Sequence, residues 1–191
     1  GQDSQVDLFT LTVGGKLVRN NLEVILNGSG IDVTLNGLYA VHDQQHTDNH
    51  TVVDHRFPHS TSSQLYKGLL SGQGRTVFNG KIFVRPEAQQ TNAYQLNRNL
   101  LLSPGTEADT RPQLEIFADD VRCTHGATVG SINEDELFYL ESRGMDRDQA
   151  VSLLSHGFVE DVLTTVPDED LQEQLRDILD DYFAAIEGQE S

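Results

Sequence analysis

The sequence predicts a mainly β protein that ends in a small helical region, and three observations carry that prediction. Short apolar segments with near period-two alternation recur through the first two thirds of the chain, bounded by Gly and Asn. The apolar spacing then changes to three-to-four. At the same point the charge changes: 17 of the 30 acids fall in 131–191, with only three of the 13 basic residues. Such a break separates two structural regions. We place the boundary near Gly130, giving a β core domain over 1–130 and a helical domain over 131–191.

The strand segments are justified in order. Val6–Val13 ends at Gly14-Gly15, a turn signal. Leu22–Leu26 meets Asn27-Gly28, and Ile31–Leu35 meets Asn36-Gly37; Asn-Gly supplies the left-handed backbone of tight turns. Gln64–Leu70, Thr76–Val84, Leu114–Ala118 and Val121–His125 continue the pattern. Gly28-Ser29-Gly30 and Gly72-Gln73-Gly74 are further turns. Short strands of this kind suit a sandwich, a barrel or a stacked β-solenoid. The solenoid is preferred because amides recur beside the turns, at Asn27, Asn36, Asn79, Asn92, Asn97 and Asn99. Stacked coils bring like positions about 4.8 Å apart, where amides form ladders. No repeat of fixed length is visible.

Three helices are expected after residue 131. Asn133 with Glu136 predicts a capping box ahead of Leu137, Tyr139 and Leu140, ending near Gly144. Asp146 with Gln149 repeats the device before Ala150, Val151, Leu153 and Leu154, with Gly157 as the stop. Pro167 and the acids at 168–170 open a third helix. Its apolar stripe runs through Leu171, Leu175, Ile178, Leu179, Tyr182, Phe183 and Ile186.

Composition narrows the function. A net charge of −17 argues against nucleic acid or an anionic membrane surface as partner, since either needs clustered cations. No apolar run reaches membrane-spanning length. One cysteine cannot form an internal disulfide, which suits a reducing compartment, and we expect a cytoplasmic protein. There is no phosphate-binding Gly-rich loop with Lys-Ser/Thr, no Gly-x-Ser-x-Gly elbow and no dinucleotide fingerprint.

Two groups of residues have metal chemistry. His42, His46, His50, His55 and His59 hold five of the seven histidines. Thr51-Val52-Val53 and Pro58 argue for strand or loop there, and residues four apart on a strand lie about 13 Å apart, too far to share one ion. Solvated or hydrogen-bonded histidines are therefore favoured over a metal site. Cys123-Thr124-His125 is sharper: in a strand the thiol and the imidazole share a face, about 7 Å apart along the backbone. Both suit a soft metal or an iron–sulfur cluster, yet two donors do not complete a four-ligand site. The remaining ligands would come from another coil, a partner or a transient donor. A buried cysteine beside a structural histidine is the plain alternative.

From Leu65-Tyr66-Lys67-Gly68 through Val77–Ile82, Gln95–Ser103 and Pro112–Val121, the sequence resembles the SufB/SufD family of iron–sulfur cluster assembly scaffolds. Cys123–Gly130, with Glu136–Leu140 and Arg143-Gly144, is most similar to the SufD branch. The likeness spans nearly the whole chain but only the C-terminal part of a usual member, so an N-terminal portion is expected to be missing. It implies a right-handed parallel β-helix followed by a small α-helical domain. It also implies a non-catalytic scaffold working with a SufB-like subunit and the SufC ATPase.

By the same resemblance, His125 falls on a histidine implicated in assembly of a nascent cluster shared with SufB, and Cys123 on its neighbouring cysteine. No cluster is expected in the isolated chain, because the key SufB cysteine has no counterpart here. The helical region, including Leu137, Tyr139, Leu153 and Leu154, is the expected ATPase-docking surface. The final strands should leave an open sheet edge, so the isolated chain is expected to pair as a homodimer. The competing reading is a β-helical metal-dependent enzyme using the His42–His59 group.

Overall fold

A computed structural model describes residues 1–187, with side chains described to Ala184. It is a parallel β-solenoid of about four coils with three C-terminal helices. Each coil gives one strand to each of two facing sheets. The first sheet stacks β1 (Gln5–Val13), β3 (Asp32–Val41), β5 (Thr61–Leu70), β7 (Thr91–Leu101) and β9 (Val121–Ser131). The second stacks β2 (Leu17–Leu26), β4 (His46–His55), β6 (Arg75–Val84) and β8 (Glu107–Ile116). All pairings are parallel.

Register explains why no fixed repeat was visible. Gln5 pairs with Asp32, Asp32 with Thr61, and Thr61 with Asn92, so successive coils are offset by 27, 29 and 31 residues. Strand lengths are nearly constant, and the turns absorb the difference. Gly14 (φ 74°) and Gly15 (φ 73°) make the expected turn after β1, and Gly72 (φ 62°) turns the chain after β5. Asn36-Gly37 is instead the middle of β3, and Asn79-Gly80 lies within β6. A Cβ at Gly37 would sit 2.5 Å from the Tyr66 ring. That glycine makes room for an aromatic of the next coil, a reason no local pattern reveals. Of the amides expected beside turns, only Asn27 is outside a strand; the rest lie within β3, β6 and β7. Pro112, with no N–H to donate, lies in β8, an edge strand where the loss is tolerated.

Inside the coils the two sheets bury an apolar half and a polar half. Leu26, Val33, Leu35, Val53, Ile82 and Val84 form the apolar half. Tyr39, Tyr66 and Phe78 pack together in the other, beside a hydrogen-bonded group of amides. There Tyr39 O–H donates to Asn99 Oδ1 (2.7 Å), and Asn97 Nδ2 donates to the Tyr39 oxygen (2.9 Å). Asn99 Nδ2 in turn donates to Asn97 Oδ1 (2.8 Å).

The helices are α1 (Glu134–Ser142), α2 (Arg147–Leu163) and α3 (Glu169–Glu187). Asn133 caps α1 by accepting from Asp135 N rather than through Glu136, while Asp146 and Gln149 form both arms of the expected box on α2. Gly157 does not stop α2, which runs on to Leu163; the glycine faces open space and the packing of Val159, Val162 and Leu163 carries the helix past it. Pro167 precedes the Asp168 cap instead of occupying the first turn, and Ile186 lies outside the described side chains.

Helices α2 and α3 cover the outer face of the first sheet. Leu38, Ala40 and Leu69 share one apolar cluster with Val159, Val162, Leu163, Leu175 and Leu179. Buried Lys67 fastens α2 to β5: its Nζ donates to Phe158 O (2.9 Å) and pairs with Asp161. Asn36 Nδ2 donates to Thr165 Oγ1 (2.7 Å), and Tyr182 O–H to Ala40 O (3.1 Å). Among the described residues no helix is long and apolar enough to cross a membrane.

Candidate functional site

The histidines of the 42–59 group are not brought together. His46, His50 and His55 lie on β4, His42 in the turn before it and His59 in the turn after. Alternation along β4 puts His46 and His50 on the outer face and His55 in the interior. His50 Nε2 lies 2.7 Å from Asp48 Oδ1, and His42 Nδ1 lies 3.2 Å from Asp43 Oδ2. Interior His55 is hydrogen-bonded through Nε2 to Ser62 Oγ (2.8 Å), and burial pushes its pKa down to about 4 against a smaller opposing effect of Asp54. Among the described residues no group of three or more His, Cys, Asp or Glu could hold a metal ion.

Cys123 and His125 lie two apart on β9, the last strand of the five-stranded sheet. Cys123 pairs with Ala93 and His125 with Gln95, both inward-facing residues of β7 that are fully buried. The two side chains therefore continue the interior rows of the solenoid one coil further. Among the described residues no strand follows β9 in the sheet, so these rows end open. His125 is exposed, whereas Cys123 is half-buried against the apolar half of the interior. Burial pushes the Cys123 thiol above its ordinary range, with a backbone hydrogen bond to Ala93 opposing. The pair thus offers an accessible imidazole and a sheltered thiol on one edge of the solenoid.

On the helical region, Leu137 is buried, so it is part of the fold and not of any surface. Tyr139 and Leu153 are exposed and Leu154 is half-buried. Phe138, 71% exposed beside Tyr139, is a surface aromatic that sequence spacing did not single out. The Gln64–Gln95 pair in the interior was missed as well. Its signal was a spacing of 31 residues, the offset between β5 and β7.

Residues 1–158 match the family described as SUF system FeS cluster assembly, SufBD core domain, and the chain belongs to that family. It is 37% identical over 174 residues to the iron–sulfur cluster assembly protein SufD of Escherichia coli K12, covering 91% of this chain and 41% of that protein. It is 38% identical over 176 residues to the SufBD family protein slr0076 of Synechocystis, covering 92% of this chain and 39% of that one. The SufBD family protein ML0594 of Mycobacterium leprae is 37% identical over 183 residues, 92% of this chain and 47% of that protein. The chain is thus a SufD homologue spanning less than half the length of these relatives.

Proposed function

We propose that this chain is the SufD-like part of a scaffold on which a nascent iron–sulfur cluster is assembled, with no turnover of its own. The observation that carries the reading is the placement of two soft-metal donors, Cys123 and His125, on one face of the terminal strand, whose outer edge is unpaired. The cluster is the cargo. A neutral imidazole presents a lone pair to iron, and a thiol binds after losing its proton. Two donors leave a cluster incomplete, so a SufB-like subunit stacked against β9 supplies the others, including the cysteine this chain lacks. Edge-to-edge stacking is the natural mode, because the outer side of β9 carries unpaired backbone groups along its length. In the isolated chain the same edge pairs with a second copy.

A SufC-like ATPase docks on the helical domain, through the exposed Tyr139 and Leu153 with Leu154 at the margin. The single thiol and the cluster chemistry suit the reducing cytoplasm. The test is co-expression with SufB and SufC homologues, with iron and sulfide quantified in the purified complex. His125→Ala should lower both while leaving subunit stoichiometry unchanged, and Cys123→Ser should have a smaller effect. Wild-type iron in the His125→Ala complex refutes the assignment.

A further inference from the structure

A polar column inside the solenoid ends without a partner. Gln64 Nε2 donates to Thr51 Oγ1 (2.7 Å), and Gln95 Nε2 donates to Gln64 Oε1 (2.6 Å). Each amide nitrogen is thus directed back toward the coil before it. Oxygen and nitrogen diverge from the amide carbon, so Gln95 Oε1 is turned away from Gln64. Gln95 is fully buried, and this oxygen has no hydrogen-bond partner among the described residues. An unpaired buried carbonyl is costly, so its retention calls for a reason. Gly80 on the facing sheet makes room for this amide: a Cβ there would collide with Gln95 Nε2. The residue in register with Gln95 on the following coil is His125.

We propose that Gln95 is the positioning residue for His125. With the exposed His125 side chain turned inward over it, Gln95 Oε1 accepts the hydrogen bond of one imidazole N–H, which fixes the tautomer and turns the other ring nitrogen, lone pair free, toward the open end of the solenoid. Histidines that bind metals commonly donate their second N–H to such an oxygen, which sets both ring orientation and ligand basicity. Asn97 and Asn99 do not fill this role, since their side chains are engaged with Tyr39, Tyr66 and each other. The inference rests on the proposed role of His125 as a cluster donor.

The test is the 15N spectrum of the His125 ring in the whole metal-free chain at about pH 8, where a neutral imidazole shows its tautomer. The expected result is one protonated and one bare nitrogen, with a nuclear Overhauser contact from the ring N–H to the Gln95 side chain. In Gln95→Met, and in Gln95→Asn, which withdraws the oxygen by one methylene, the two nitrogens should average. A wild-type ring that already averages overturns the proposal, even if neither variant folds. So does a fixed tautomer in either folded variant. In the complex with SufB-like and SufC-like partners, Gln95→Met should lower bound iron roughly tenfold. Unchanged iron there, alongside a loss in His125→Ala, removes the positioning role alone. Unchanged iron in His125→Ala removes the donor role on which it rests.

Discussion

Strands β7 and β9 carry the same inward rows and meet opposite fates. On β7, Ala93, Gln95, Asn97 and Asn99 are buried with a coil on either side. Their register partners on β9 are Cys123, His125, Ala127 and Val129, and all but Cys123 are exposed. The difference follows from position alone. In a stack of parallel coils each inner residue is covered from both sides, whereas the last coil is covered from one. A row that makes core in the middle of the stack therefore makes a binding surface at its end. The donors of the proposed site need no pocket; the end of the solenoid presents them.

The largest effect that can break this comparison is a cavity. Ile82 on β6 is fully buried, and Ile82→Ala should destabilise the chain by about 2–5 kcal/mol. Val129→Ala truncates an inward residue of the open coil and should stay within about 0.5 kcal/mol. Urea unfolding of both variants checks the pair. A loss at Val129 as large as that at Ile82 means that β9 is covered in solution.

Much of this was legible in the sequence, and the omissions have physical causes. Alternation marked most strands, and the i, i+2 spacing of Cys123 and His125 put them on one face without any knowledge of the fold. The histidine-rich strand β4 and most of β7 were not marked, because their inward positions carry Thr, Asn, Gln and His in place of aliphatic residues. The exposure of His125 follows only from the expected open edge of the last strands, and no local pattern around the residue shows it. Two capping devices located the starts of α1 and α2, but Gly157 misled because helix α2 is held by its contacts with the sheet. Those contacts also mean that removing the helices would uncover Leu38, Ala40 and Leu69. The proposed docking of an ATPase is therefore tested by Tyr139→Ala with Leu153→Ala, which should weaken binding without unfolding the chain.

The next largest effect is a pH dependence that belongs to the closed coils. His55 titrates near 4 in the fold because burial disfavours its charged form, against 6.5 for an unperturbed imidazole. As pH falls below 6.5 the unfolded chain takes up a proton that the fold refuses. Stability is therefore lost between pH 6.5 and 4, by up to about 3 kcal/mol. Asp54 works in a lower window. Burial pushes its carboxyl up, but hydrogen bonds and charges from Arg85 and Arg56 more than reverse this and hold it below 3.8. Its contribution is lost only as pH falls through that lower value. Urea midpoints measured from pH 7 to pH 4.5 should decline in wild type and stay nearly flat in His55→Gln. An equal slope in both would show that another group carries the dependence.

Smaller again is the contribution of the amide group around Tyr39. Tyr39→Phe keeps the packing on Tyr66 and Phe78 but leaves Asn99 Oδ1 without its donor and deprives Asn97 Nδ2 of one acceptor. Both amides are buried between coils, so the loss should be about 1–3 kcal/mol by urea unfolding. A neutral result would mean that water replaces the hydroxyl and that the inner coils are less sealed than their register implies.

The smallest effect sharpens the comparison most, because its sign should differ between coils. Gly130 on β9 has an ordinary strand position, is absent from the left-handed region, and has nothing within 4 Å of the place a Cβ would take. Gly130→Ala removes freedom from the unfolded chain and meets no atom in the fold, so it should stabilise by about 0.4–1 kcal/mol. Gly68 on β5, on the inward row that pairs with Asn99 inside a closed coil, is the contrast. There a Cβ would collide with Asn99 Oδ1 and the Tyr39 ring, and Gly68→Ala should destabilise. If a partner strand stacks on β9 in the assembled complex, the free space at Gly130 shrinks. The gain seen in the isolated chain should then vanish or reverse when stability is measured in that complex. A gain that persists unchanged would mean that the partner leaves this end of β9 uncovered, and would confine the shared surface to the stretch around Cys123 and His125.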